Sequence, residues 1–107
     1  NMKLKYLVAT ILALSVSATA LAAEDGEALF KQHKCKSCHQ LDKKTVGPSV
    51  KAISSKYAND EKAVSMLEKS VRDGGGGVWG KMPMPKTKAS VSDADIKTIV
   101  GWILSHK

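Results

Sequence analysis

The residues of this chain best suited to chemistry sit in one short stretch, Cys35-Lys36-Ser37-Cys38-His39. It contains both cysteines of the 107-residue sequence and sets a histidine directly behind the second. Three chemistries use such a stretch: a redox dithiol, part of a metal site, or a covalent attachment point for heme. A C-x-x-C redox motif is expected beside a βαβ pattern, and the sequence has no such pattern. A structural zinc site takes four Cys or His ligands, usually as two spaced pairs. Here His33 and His106 are the only other histidines. On a helix, Cys35 and Cys38 are i and i+3, and His39 is i+4 to Cys35. All three then leave one face, with neighbouring Cβ atoms about 5–6 Å apart. From there two thiols reach the two vinyl groups of one heme while the imidazole reaches its iron. C-x-x-C-H is the sequence signature of that attachment.

An iron held by His39 has a second axial position, and the stretch Gly80-Lys81-Met82-Pro83-Met84-Pro85-Lys86 offers two thioethers well downstream. Methionine is most often core filler, but these two lie in a Pro-rich segment without helical periodicity. Pro83 and Pro85 bracket Met84 and restrict its backbone, so less entropy is lost when its thioether is held. Met82 has proline on one side only. His33 is expected to be a solvated helix residue, and His106 suits a helix C-terminus. Neither is a ligand candidate while a methionine is available.

The elements that must position these groups begin after a segment that reads as an address. Lys3 and Lys5 form a basic region, residues 7–16 an apolar one, and "SATALAA" a small-residue cleavage zone. This is the anatomy of a secretory signal peptide. We expect it to span residues 1–22, with cleavage after Ala22 and Ala20 or Ala23 as neighbouring sites, leaving one domain over residues 23–107. An uncleaved anchor is disfavoured, because the apolar run is short and diluted by Ser15, Ser17 and Thr19. No stable membrane insertion is expected after cleavage. Exported proteins usually spend paired cysteines on disulfides, yet a Cys35–Cys38 bridge would close a very small loop and stabilise little.

The formal net charge is +7, and loss of Lys3 and Lys5 leaves about +5, which suits anionic partners or simple solubility. No basic stretch interleaved with aromatics is present, so no nucleic-acid partner is expected. An all-α fold of about four short helices is predicted. The first starts at Asp25 as N-cap and runs into the Cys-x-x-Cys-His stretch. Gly47-Pro48 breaks the chain, and Pro48 serves as the first residue of a short helix over residues 49–57. Asn59 or Asp60 caps a third helix with Ala63, Val64, Leu67 and Val71 on one face, and the glycines at 74–77 end it. Residues 78–91 are irregular. Ser92 and Asp95 resemble a capping box for the last helix, whose apolar stripe is Ile96, Ile99, Val100, Ile103 and Leu104. Phe30 and Trp102 should pack where the first and last helices cross, with Gly101 allowing close approach. The aromatic supply is thin for a core this small, so the heme is expected to complete the interior.

Four stretches, "LFKQHKCKSCHQLD", "VGPSVKAISSKYA", "GVWGKMPMP" and "VSDADIKTIVGWILSHK", together resemble a class I cytochrome c of the small bacterial cytochrome c-551/c-552 type. They cover nearly all of residues 23–107, in order. The resemblance implies a single heme c joined through Cys35 and Cys38, with His39 and Met84 as axial ligands. It also implies that the Pro48 carbonyl accepts a hydrogen bond from the His39 ring and that the Trp79 indole donates to a heme propionate, or else simply packs beside the heme. His/Met ligation belongs to electron-transfer cytochromes and raises the potential. Two departures stand out: Met82 replaces an aliphatic residue, and Lys86 replaces a second proline. The implied function is one-electron transfer in a bacterial periplasm, without catalysis, by a monomer. Its partners would be a terminal reductase, cytochrome oxidase or cytochrome c peroxidase. Lys34, Lys36, Lys43 and Lys44 around one stretch, with Lys81, Lys86 and Lys88 around the other, are candidate docking residues.

Overall fold

The structure is a computed structural model that describes the backbone of residues 18–106 and the side chains of residues 25–106. It is all-α, with α1 (Ala18–Gln32), α2 (Val50–Lys56), α3 (Ala63–Asp73) and α4 (Asp93–Leu104). Among the described residues there is no strand beyond an isolated antiparallel bridge between Gly75 and Met84. No helix among them is long and apolar enough to cross a membrane. Most of the expected leader at residues 1–22 lies outside the described residues. Its last part continues α1, which therefore begins at Ala18 and not at Asp25. Good helix formers, alanine above all, carry the helix through that segment.

Helix α1 also ends before the cysteines. Lys34 adopts a left-handed conformation, with φ 64°, and a separate 3₁₀ turn spans Cys35–Ser37. A left-handed residue just past a helix end turns the chain away from the axis. The Ser37 hydroxyl then donates to the Lys34 carbonyl at 2.6 Å and seals the turn. One continuous helix through the motif is thus replaced by a helix, a reversal and a tight turn.

Helix α2 starts at Val50 and not at Pro48, and Ser49 caps it, its Oγ accepting from the Ala52 amide at 3.0 Å. The Val50 and Lys51 amides donate to the carbonyls of Gln40, at 2.8 Å, and Leu41, at 3.1 Å. First-turn amides have no partner within their own helix, so α2 is stitched to the segment directly after His39. Ahead of α3 the Asp60 carboxylate accepts from the Lys62 amide at 2.9 Å, and Gly74 closes the helix by donating to Ser70 O at 2.8 Å. Ala63 is buried, whereas Val64 stays 40% exposed. It shares the apolar face by spacing, but the core meets α3 further along, through Leu67 and Val71.

Helix α4 is the spine of the core. Phe30, Val50, Ile53, Ile99 and Ile103 form one buried cluster, and Val91, Ile96 and Val100 a second, with Leu67 packed against both. The rings of Phe30 and Trp102 meet at 4.9 Å between centroids where α1 crosses α4. The glycine that permits this crossing is Gly26, not Gly101: a Cβ on Gly26 would collide with the Trp102 Cβ, whereas Gly101 faces open space. His33 is not simply solvated either. Its Nε2–H donates to the Asp95 carboxylate at 3.2 Å and leaves the side chain 18% exposed. Ser92 Oγ accepts from the Asp95 amide at 3.0 Å, so half of the expected capping box forms while the carboxylate turns to α1.

Candidate functional site

The Cys-x-x-Cys-His turn is a compact hydrogen-bonded unit. The Cys35 carbonyl accepts from the amides of Cys38, at 3.2 Å, and His39, at 3.0 Å. The Cys38 carbonyl accepts from the Gly47 amide at 2.8 Å and from the Thr45 hydroxyl at 2.9 Å, which folds the following segment back onto the turn. Both cysteines are free thiols and half-buried. Burial pushes the Cys35 thiol up from its ordinary value, partly opposed by a backbone hydrogen bond and reinforced by Cys38. Redox-active C-x-x-C pairs need the reverse, a thiol with a lowered pKa that ionises readily.

His39 is oriented by its neighbours. Its Nδ1–H donates to the Pro48 carbonyl at 2.9 Å. A carbonyl can only accept, so the proton sits on Nδ1 and, in the neutral ring, the Nε2 lone pair is left to bind a metal. Such a partner also fixes the orientation of the ring. The sequence marks Gly47 only as a chain break, yet it lies against this ring. A Cβ there would come within 2.6 Å of the His39 Cε1. The Gly-Pro pair thus does two jobs, giving room to the imidazole and an acceptor to its N–H.

The second loop leaves α3 through the glycines and carries Trp79, Met82 and Met84. Met84 is pinned by its backbone: its amide donates to Gly75 O at 2.7 Å, and its carbonyl accepts from the Gly75 amide at 2.9 Å. Its side chain is half-buried, whereas Met82 is 67% exposed. Trp79 is at the edge of exposure, with the Lys56 ammonium 5.6 Å from its ring centroid. The same ammonium lies 5.9 Å from the Tyr57 ring. Among the described residues, neither Met84 nor Trp79 hydrogen-bonds to the Cys–His turn. Pro48, Cys35, Cys38 and His39 are brought together directly; Met84 is paired instead with Gly75, and Trp79 lies beside Lys56.

This donor set fits one heme. It provides two free thiols a helical turn apart, one imidazole with its lone pair on Nε2, and exposed apolar side chains on both loops, among them Leu41, Val46, Val78 and Met82. Among the described residues no group of three or more His, Cys, Asp or Glu side chains could hold a bare metal ion. A small helical chain with these groups on one turn is built as a heme protein of the c type.

Residues 23–107 match the family model described as cytochrome c, and the chain belongs to the cytochrome c family. It is 41% identical to cytochrome c-551 of Pseudomonas aeruginosa over 101 residues, covering 91% of this chain and 95% of that one. Cytochrome c-552 of Nitrosomonas europaea is 43% identical over 95 residues, covering 89% of this chain and 88% of the relative. The crystal structure of wild-type Nitrosomonas europaea cytochrome c552 superimposes with a TM-score of 0.72 at 43% identity, over 76% of this chain and 99% of that one. The family is one of electron-transfer proteins, not enzymes, whose members carry one covalent heme c. Cys35 and Cys38 stand at the spacing that holds it.

Proposed function

We propose that the chain is an exported one-electron carrier that shuttles between larger respiratory redox proteins in a bacterial periplasm. In this reading the leader is removed after Ala22, and residues 23–107 hold one heme c through thioethers to Cys35 and Cys38. His39 and Met84 take the two axial positions. When bound, the heme iron supplies the one-electron couple. The chain's residues attach it, orient its ligands and keep both axial positions filled, so no position is open to substrate.

The observation that supports this reading most is the hydrogen bond from His39 Nδ1–H to Pro48 O, because it directs the other ring nitrogen outward as a ligand. Met84 is the stronger thioether candidate, since its backbone is held on both sides by Gly75 and its side chain is the less exposed of the two. Trp79 is assigned as a donor to a heme propionate, with Lys56 steadying its ring. The lysines around the two loops would face an acidic partner, of the kind presented by a terminal reductase, cytochrome oxidase or cytochrome c peroxidase. Absorption spectra of the purified oxidised and reduced protein test the assignment. Expected are a heme that survives acid–acetone extraction, a weak red sulfur-to-iron band in the ferric form, and sluggish carbon monoxide binding when reduced. Rapid carbon monoxide binding would instead indicate an open axial position and overturn the carrier reading.

A further inference from the structure

Arg72 is the only arginine in a sequence with 17 basic residues. It projects from the last turn of α3, just before the chain departs into the methionine loop, and its side chain is 28% exposed. Its guanidinium gathers the chain that returns from that loop. Nη1 donates to Lys88 O at 3.1 Å, and Nη2 donates to Val91 O at 2.6 Å and to the Asp93 carboxylate at 2.7 Å. The Arg72 carbonyl accepts from the Thr87 amide at 3.2 Å, and next to it Val71 O accepts from the Thr87 hydroxyl at 2.6 Å.

These bonds rejoin segments 15 to 21 residues apart in sequence. Pro83 and Pro85 have no amide hydrogen to contribute. The loop is therefore closed at two levels: an inner one at Gly75–Met84 and an outer one at Arg72. A lysine could not replace the outer closure, because a planar fork serves several fixed acceptors where an ammonium acts as a point charge.

We propose that Arg72 is a positioning residue for Met84, holding the returning segment of the loop so that the thioether stays at the iron. The inference rests on the assignment of Met84 as axial ligand. Without the Arg72 guanidinium the returning segment is tethered mainly by the Gly75–Met84 pair and the Thr87 bonds. Segments with few buried contacts and exposed hydrogen bonds open locally before the rest of a fold. Met84 would then leave the iron while the helices remain intact.

The test uses the heme-loaded chain and compares Arg72→Gln and Asp93→Asn with wild type. In each, the ferric sulfur-to-iron band and the far-UV helix signal are followed through a denaturant titration, and carbon monoxide binding is timed in the reduced protein. For Arg72→Gln the band should vanish at lower denaturant than the helix signal. Carbon monoxide should bind on the order of tenfold faster, the effect of losing about one hydrogen bond to a charged group. Asp93→Asn keeps both carbonyl bonds and should follow wild type. Should Arg72→Gln fail to load heme, Arg72→Lys, which keeps the charge but not the fork, is read in the same way. Loss of band and helix signal together would make Arg72 a general stabiliser and overturn the proposal, as would wild-type behaviour in both variants. Absence of the band from wild type would instead refute Met84 ligation, and the proposal would fall with it.

Discussion

His39 and Pro48 are joined by a 2.9 Å hydrogen bond from the imidazole Nδ1–H to the proline carbonyl, and Gly47 packs against the same ring. The direction of the His39 imidazole is therefore set by backbone, which cannot rotate away as a side chain can. Because the Gly47 amide also donates to Cys38 O at 2.8 Å, the attachment turn and the ring's support form one closed unit.

Gly47→Ala isolates this packing. Gly47 is not among the positive-φ glycines, so the added methyl introduces a steric conflict without backbone strain. The imidazole must shift, at a cost of about 1–3 kcal/mol as for other overpacked sites. The heme-loaded variant should melt lower and show displaced His39 ring resonances by NMR. Unchanged resonances would mean that the ring is held from elsewhere.

Met84→Ala should abolish the red sulfur-to-iron band and lower the reduction potential by on the order of tenths of a volt, within the range that axial ligands control. Met82→Ala should leave the band in place, since Met82 is two-thirds exposed. Absorption spectra and redox titration of the two variants decide it. A band lost only from the Met82 variant would reverse the assignment, and a band kept in both would mean the thioethers substitute for each other.

Electron exchange with an acidic partner should slow as ionic strength rises, because screening weakens a steered encounter. Charge-neutralising Lys→Gln changes at Lys36 and Lys44, or at Lys81 and Lys86, should flatten that dependence. Stopped-flow rates across a salt series measure it. Rates indifferent to salt would reduce these lysines to an ordinary solvated surface.

Two glycines predict opposite signs. Gly26→Ala drives a methyl into Trp102 at the α1–α4 crossing and should destabilise by about 1–3 kcal/mol. Gly101→Ala adds a methyl in open space within α4 and should stabilise by about 0.5–1 kcal/mol, the usual helix-interior difference. Thermal melts of the pair check the crossing geometry directly.

What could be read from the sequence was local in origin. The Cys-x-x-Cys-His spacing, the Ser92 cap, the α4 stripe and the glycine stop after α3 depend on neighbours within a turn or two, and the structure has each of them. The Phe30–Trp102 contact was also legible, because each is the single aromatic residue of its helix. The tertiary structure alone decided the pairings across long separations. His33 finds Asp95 62 residues away, and Gly26, not Gly101, meets Trp102. Arg72 spans the methionine loop to Val91 and Asp93. None of these leaves a periodic trace, since each depends on how helices cross and not on how one helix is built. The break before Cys35 was hidden for a related reason: the left-handed Lys34 carries no glycine or proline signal, and its conformation is imposed by the turn that follows it.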